Sequence, residues 1–196
     1  MNGASGLHRH ILSILVENRF GELCRIVGLF SGRGYNIDTL CVAPTPDPEF
    51  SKIILTTAGS EAIIEQILKQ VGKLVRVREV VDLNEVHHVE REMALLIVNT
   101  PDPAARQEVL NLVHVFRAKV IDIAPDAMTV ETTGSQDKVE ALLGLLRPLG
   151  IRDIVRTGTV AIPRISEVAA VRTATGTDAV VNGGVVSDVP EAESAV

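Results

Sequence analysis

Aromatic residues are scarce in this chain of 196 residues, which has no tryptophan, one tyrosine and four phenylalanines. Proteins that bind single-stranded nucleic acids without sequence preference stack the bases on aromatic side chains, and this chain has too few for such a platform. The formal net charge of -6 at pH 7 also disfavours contact with phosphates, and much of it comes from the acidic residues in 165–196. We therefore expect no nucleic-acid partner.

Long apolar runs and cysteines are also rare, and both absences bear on the compartment. The longest uninterrupted apolar run is Met93–Val98, whereas about 20 apolar residues are needed to cross a bilayer. The residues before Arg9 lack the apolar segment of a signal peptide, so we expect neither a membrane span nor export. The two cysteines, Cys24 and Cys41, fall in apolar segments, where cysteine usually acts as a small buried hydrophobe. They predict a reducing cytoplasm and no disulfide.

No pattern typical of a catalytic or metal site is present. His87 and His88 are adjacent, so on a strand they point to opposite faces, and His8 and His10 have no third ligand in view. The charges of Glu90–Glu92 are typical of a solvated strand edge, because no apolar surroundings are expected to shift a pKa there. We expect no metal and no catalysis by this chain, and a metal-dependent enzyme would require the histidines to converge.

Hydrophobic spacing in the first half predicts a βαββαβ order. Leu23, Ile26, Val27 and Phe30 recur at i, i+3, i+4 and i+7, which places them on the buried face of a helix. Alternation of apolar and polar residues predicts the strands. We predict strands over Arg9–Val16, Asn36–Ala43, Ser51–Ala58 and Leu74–Leu83, and helices over Gly21–Arg33 and Glu61–Lys73.

The second half repeats this plan. Val109, Leu112, Val113 and Phe116 reproduce the helical spacing of the first half, and a further set of apolar positions recurs at an offset of 75 residues. We therefore predict an α+β fold of two tandem ferredoxin-like βαββαβ modules. The composition after Arg164 changes to small residues without aromatics, which predicts disorder. The predicted units are residues 7–84, 85–164 and a disordered tail over 165–196.

The residue pattern of the first strand predicts that both faces of its sheet are covered by protein. Leu12 and Ile14 alternate with Ile11 and Leu15, so both faces carry large apolar side chains, while the two helices can cover only one. We expect another part of the protein, or a partner, on the second face.

The turn between the first strand and the first helix is a candidate ligand site. Gly21 lies at the helix entrance, where free backbone N–H groups and the helix dipole can accept a carboxylate. Asn18 offers an amide oxygen to an ammonium group, and Asn36 is placed at the start of the second strand, beside the same end of the sheet. Such a pocket suits a free amino acid better than a phosphate or a metal. The alternative is that these are ordinary turn residues.

The same segment resembles the ACT domain of the small, regulatory subunit of acetohydroxyacid synthase, also called acetolactate synthase. The resemblance rests on the sequence HILSILVEN before the turn, GxL at the helix start, GLFSGRGYNI through the helix end and the VAPT that closes the second strand. It continues through HHVEREMALLIV to GTVAIPR, and so covers residues 7–164.

This resemblance implies a ligand, a site and partners. In that family, valine or a related branched-chain amino acid binds where two ACT domains meet in a homodimer. It implies a non-catalytic subunit that activates a catalytic large subunit and confers feedback inhibition, while thiamine diphosphate, Mg²⁺ and FAD belong to that large subunit. Carried onto matching positions, the ligand contacts are Asn18, Arg19, Phe20, Gly21, Glu22 and Leu23 from one protomer, with Asn36 and Ile37 from the other.

A different class of function stays open on sequence grounds. The same module also suits a stand-alone amino-acid sensor or transcriptional regulator without an enzyme partner, although no helix-turn-helix or basic patch supports it. The sequence does not distinguish among the branched-chain amino acids.

Overall fold

The computed structural model describes residues 7–168, which form two βαββαβ modules of four antiparallel strands and two helices each. Both predicted ferredoxin-like modules are therefore confirmed. Residues 165–167 belong to the predicted disordered tail, yet Ile165–Glu167 form a short 3-10 helix, in which the Glu167 N–H donates to the Arg164 carbonyl. The rest of the predicted tail, residues 169–196, lies outside the described residues.

The first module has the strand order β2-β3-β1-β4, and all neighbouring strands are antiparallel. Its core lies between one sheet face and the two helices, where Leu12 and Ile14 of the first strand meet Ile26, Phe30 and Ile67. The elements are β1 (His8–Glu17), α1 (Glu22–Gly32), β2 (Thr39–Pro44), β3 (Phe50–Gly59), α2 (Glu61–Val71) and β4 (Val77–Asp82).

Helix α1 ends where the sequence predicts, but the next strand begins later. Gly34 has a left-handed φ of 71°, and the Tyr35 N–H donates to the Phe30 carbonyl, a Schellman-type ending that glycine favours. The chain then needs the segment 35–38 to reach the sheet edge. Strand β2 therefore begins at Thr39, and the prediction that Asn36 opens it is wrong.

The buried stripe of α1 also differs from the prediction. It runs through Glu22, Ile26 and Phe30, at intervals of four residues, so Leu23 is 39% exposed rather than in the core. Cys24 lies on the same uncovered side and is exposed, so its predicted burial is wrong. Cys41 is half-buried on β2.

The second module repeats the topology with the strand order β6-β7-β5-β8. Its core places Val109 and Val113 of the first helix against Leu96 and Val130 of the sheet, which confirms the repeated helical spacing. Within residues 7–168, no helix is long and apolar enough to span a membrane. The elements are β5 (His88–Asn99), α3 (Pro103–Val115), β6 (Lys119–Ile123), β7 (Ala127–Gly134), α4 (Gln136–Leu146) and β8 (Ile151–Arg156), followed by β9 (Val160–Pro163).

The second face of the first sheet is partly covered by the chain itself. Strand β9 pairs with the start of β5, where His88 is opposite Pro163. This short ribbon and the linker pack on the face that carries Ile11 and Ile54, with Leu83 of the linker fully buried and Ala161 packed against it. The expectation of a cover is therefore met within one chain at this part of the face.

Each module buries a hydrogen-bonded polar pair at the same position of its fold. His10 lies two residues before Leu12, the first β1 residue that pairs with β4. The Nδ1 atom of His10 lies 2.6 Å from Asp82 Oδ2. At the equivalent place in β5, both carboxylate oxygens of Glu92 accept hydrogen bonds from Arg156, at 2.6 and 2.8 Å. The prediction of a solvated Glu90–Glu92 edge is wrong for Glu92, because this side chain points toward the helices and is 3% exposed.

Truncation of a core residue tests the packing of the first module. Ile67→Ala removes a fully buried side chain from between α2 and the sheet. We expect a loss of about 2 to 5 kcal/mol in the free energy of unfolding by denaturant. Val75→Ala is the control, because Val75 is 91% exposed and its truncation is expected to cost less than about 0.5 kcal/mol. Equal stability losses in the two variants would contradict the assigned core.

Candidate functional site

The turn between β1 and α1 presents unpaired backbone donors. Gly21 precedes the helix with a φ of 86°, a backbone conformation that side-chain-bearing residues rarely adopt, and no side chain caps the helix. The Glu22 N–H donates to the Arg19 carbonyl over a long 3.4 Å, and the Arg25 N–H donates to the Gly21 carbonyl at 3.0 Å. Among residues 7–168, the N–H groups of Leu23 and Cys24 have no acceptor. These free donors at the positive end of the helix dipole are suited to a carboxylate.

Asn18 is held in place with its amide oxygen free. Its backbone N–H donates to the Glu49 carbonyl at 2.7 Å and its Nδ2 donates to the Pro48 carbonyl at 3.1 Å. Both contacts are to the loop before β3. The Asn18 Oδ1 accepts no hydrogen bond within the described part of the chain, so it is oriented and available to an ammonium group.

Three of the predicted ligand residues have solvent-exposed side chains at this turn. Phe20 is fully exposed, Leu23 is 39% exposed, and Arg19 is exposed while its backbone N–H donates to the Glu17 carbonyl. Val42, at the same end of the edge strand β2, is 42% exposed. Exposed apolar side chains beside an unpaired strand edge are typical of an interaction surface.

Glu22 has a structural role that its sequence position did not reveal. Its side chain is buried, and Oε1 accepts hydrogen bonds from Arg25 at 3.0 Å and Arg76 at 3.2 Å. The pair with Arg76 joins the start of α1 to the turn that immediately precedes β4. Any contact of Glu22 with a ligand therefore falls to its backbone. Arg76 is 54 residues away in sequence, and its position became evident only from the strand order.

Asn36 and Ile37 lie at the opposite end of the sheet from the turn. The Asn36 carbonyl accepts a hydrogen bond from Thr57 Oγ1 at 2.6 Å, and Thr57 pairs with His10 near the start of β1. The turn instead follows Glu17 at the end of β1. Seven strand residues separate these levels, or roughly 23 Å. The predicted position of Asn36 beside the turn is therefore wrong within one chain, because α1 carries the chain back along the sheet.

A second concave region lies between the modules. It is a cavity of about 540 Å³, and it includes none of the predicted ligand residues. Two of its charged groups are paired with each other: Glu92 accepts from Arg156 and raises the pKa of the guanidinium above the ordinary value. The cavity is lined by Arg9, Asp38, Thr39, Leu40, Thr56, Glu92, Gln136, Arg156, Thr157, Gly158 and Thr159.

No metal site is formed by the described residues. Across residues 7–168, no three His, Cys, Asp or Glu side chains come close enough together to hold an ion. The Nε2 atom of buried His10 has only Glu61 nearby, at 4.0 Å.

Comparison with known proteins identifies the family of this chain. Residues 12–79 match the family model described as "AHAS small subunit-like ACT domain", and residues 91–165 match "Small subunit of acetolactate synthase". The acetolactate synthase small subunit of Aquifex aeolicus is 44% identical over 158 residues, which is 81% of this chain and 82% of that protein. The chain belongs to the acetolactate synthase small-subunit family.

Further relatives agree with this assignment along most of their length. The acetolactate synthase isozyme 3 small subunit of Salmonella typhimurium is 44% identical over 157 residues, which cover 80% of this chain and 96% of that protein. The crystal structure of the acetolactate synthase small subunit from Thermotoga maritima superposes with a TM-score of 0.74 at 38% identity, covering 81% of this chain and 98% of that one. Both modules therefore belong to the small-subunit family.

Removal of the Arg76 side chain tests the anchor of the turn. Arg76→Met leaves the buried Glu22 carboxylate with only Arg25. We expect the free energy of unfolding to fall by about 1 to 3 kcal/mol. Arg78→Met is the control two residues along the chain, because Arg78 pairs with the more exposed Glu17, and its loss is expected to cost less than about 1 kcal/mol. Chemical denaturation of both variants measures the difference, and the opposite order would contradict the anchoring role.

Proposed function

We propose that this chain is the regulatory subunit that activates a catalytic acetolactate synthase subunit and makes it sensitive to valine or another branched-chain amino acid. The observation that carries the proposal is family membership across both modules. The turn adds independent support, because it offers unpaired N–H groups and an oriented amide oxygen at one helix start.

Pairing of two copies through β2 supplies a complete site. Strand β2 is an edge strand, and its end at Pro44 lies level with Ser51 and Val16, near the turn. Its start at Thr39 lies level with the far end of β1. An antiparallel two-fold contact between β2 edges brings the start of the partner's strand to this protomer's turn. Asn36 and Ile37 of the second copy then lie opposite Asn18 and Gly21.

In the resulting pocket, different groups bind the carboxylate, the ammonium group and the side chain of the ligand. The N–H groups at the start of α1 bind the ligand carboxylate, and the amide oxygens of Asn18 and the second copy's Asn36 accept from its ammonium group. Ile37 and Leu23 supply apolar contacts for an aliphatic side chain. A missing methyl group changes binding by about 1 to 3 kcal/mol, so alanine is expected to be rejected more strongly than isoleucine or leucine.

Ligand binding at a dimer contact can regulate a distant enzyme. A ligand that bridges two protomers favours the arrangement in which both halves of its site meet. Coupling free energies of this kind are typically about 1 to 3 kcal/mol, which corresponds to changes of five- to 150-fold in affinity. That range is sufficient for feedback inhibition.

The cofactors are assigned to the catalytic partner. The family resemblance associates thiamine diphosphate, Mg²⁺ and FAD with the large subunit, and no cluster of metal ligands occurs in residues 7–168. We place the activity in the cytoplasm, since both cysteines are free thiols and Cys24 is exposed.

A carboxylate at Gly21 tests the amino-acid site. Gly21→Asp places a negative charge where the ligand carboxylate is expected, while the surrounding 4 Å contains no other atoms to clash with a new Cβ. We expect valine binding, measured by calorimetry, to be abolished and inhibition of the reconstituted enzyme to be lost. Activation of the catalytic subunit without valine is expected to persist.

Gly34→Asp is the matched control for this variant. Gly34 lies at the other end of the same helix, also has a positive φ, and also has open space around it. This variant carries the same backbone cost and charge, so it is expected to bind valine as the wild type does. Unchanged valine affinity in Gly21→Asp would refute the proposed site, and failure to co-purify with the catalytic subunit would favour a stand-alone sensor.

A charge on the β2 edge tests the dimer. Val42→Asp places a carboxylate among the exposed apolar side chains of the edge strand. We expect light scattering to show dissociation to monomers and calorimetry to show loss of valine binding, because one chain holds only half of each site. Ile123→Asp, on the equivalent edge strand β6 of the second module, is the control and is expected to remain dimeric. A Val42→Asp protein that stays dimeric would contradict β2 pairing.

A further inference from the structure

Few side chains bridge the two modules, and they meet at one place. Arg9 of β1 donates from Nη1 to Glu90 Oε2 at 3.0 Å and from Nη2 to Thr159 Oγ1 at 2.7 Å. The Thr159 N–H in turn donates to Thr39 Oγ1 over a long 3.4 Å. Thr159 is 3% exposed, so this junction is closed to solvent at its centre.

Gly158 makes the closest approach in this junction. A Cβ built on Gly158 would lie 2.7 Å from Thr39 Cβ, and its φ of 74° is left-handed. Only glycine satisfies both conditions without movement. The backbone at Gly158 therefore rests directly on the first residue of β2.

The same β2 residue connects to the proposed ligand contacts. Asn36 Nδ2 donates to Asp38 Oδ1 at 2.6 Å, and Asp38 adjoins Thr39. Thr39 Oγ1 also lies 2.8 Å from Thr56 Oγ1 of β3. A ligand that binds Asn36 or Ile37 thus acts on the short segment whose end touches Gly158.

On the other side, the junction leads into the core of the second module. Arg156 comes two residues before Gly158, and it is fixed by Glu92 of β5 and by Glu140 of α4. The segment 157–159 is therefore joined directly to a residue that is fixed in the second module. The adjacent cavity of about 540 Å³ leaves room for such a movement.

We propose that the contact of Gly158 and Thr159 with Thr39, held by the Arg9–Glu90 ion pair, couples amino-acid occupancy of the first module to the position of the second module. This inference rests on the proposed function, since it concerns the effect of the same ligand. Arg9 and Gly158 act here as positioning residues that touch no ligand. Through them, ligand binding to the first module is coupled to inhibition of the catalytic partner.

The test separates valine binding from its consequence. Arg9→Gln removes the ion pair with Glu90, and Gly158→Ala inserts a methyl group against Thr39. For each variant, calorimetry of the isolated chain gives the valine Kd, and assays of the reconstituted enzyme give activation and inhibition. We expect Kd to stay within about threefold of wild type and activation to be retained, while the valine concentration for half-inhibition rises at least fivefold.

Gly150→Ala is the matched control, because Gly150 has a φ of 90° and its new Cβ would meet Asn99 inside the second module. It is expected to remain inhibited by valine as the wild type is. Inhibition unchanged in Arg9→Gln, or lost equally in Gly150→Ala, would overturn the coupling role. If Gly158→Ala fails to fold, Arg9→Gln decides alone. A wild-type protein that binds no valine would instead refute the proposed function.

Discussion

The register between β1 and β3 determines where the rest of the first module can lie. Glu17 pairs with Phe50 at one end of the sheet and His10 pairs with Thr57 near the other. Because β2 is antiparallel to β3, it must begin at the end opposite the β1–α1 turn. Helix α1, whose 11 residues are about 16 Å long, carries the chain most of the way back along the sheet, and residues 35–38 complete the path to β2. The two groups of predicted ligand residues are therefore separated by the topology within one chain, and the dimer that we propose would bring them together.

The two modules have kept the fold while reversing the chemistry of one buried pair. In the first module, the first strand contributes the imidazole of His10 and the last strand contributes the carboxylate of Asp82. In the second, the first strand contributes the carboxylate of Glu92 and the last strand contributes the guanidinium of Arg156. Both pairs sit where the second helix of the module begins. Such a pair stabilises the register of the two strands only while both members are present, since an unpartnered buried charge is costly.

Local patterns predicted most of the fold, and they located the turn at Gly21 that carries the proposed ligand contacts. The helical spacing around Ile26 and the end of the first helix near Arg33 are local signals, and both are confirmed. The predictions for Leu23 and Cys24 were wrong because the buried stripe of α1 is narrow. It contains only residues at four-residue intervals, so these two neighbouring positions lie outside it. Asn36 was misplaced because strand order, a non-local property, decides which sheet end a residue reaches.

Long-range contacts were also beyond sequence reasoning. The burial of Glu92 depends on Arg156, which lies 64 residues away. The cover on Ile11 comes from β9, a four-residue strand too short for its alternation to be distinctive. Arg76 reaches Glu22 only because β4 lies beside β1. These contacts follow from how strands are ordered in space, which single-sequence periodicity does not encode.

Strand β5 is shared by two pairing regions, so the alternation of its side chains must be correct in both. Its first residues, His88–Arg91, pair with β9 over the first module, and its later residues pair with β7 and β8 inside the second. Alternate residues of a continuous strand face opposite sides of the sheet. One inserted residue between Arg91 and Glu92 would therefore move the side chains of one pairing region to the wrong face of the sheet relative to those of the other region. An inserted or deleted segment at this point of β5 would preserve both faces only if it contained an even number of residues.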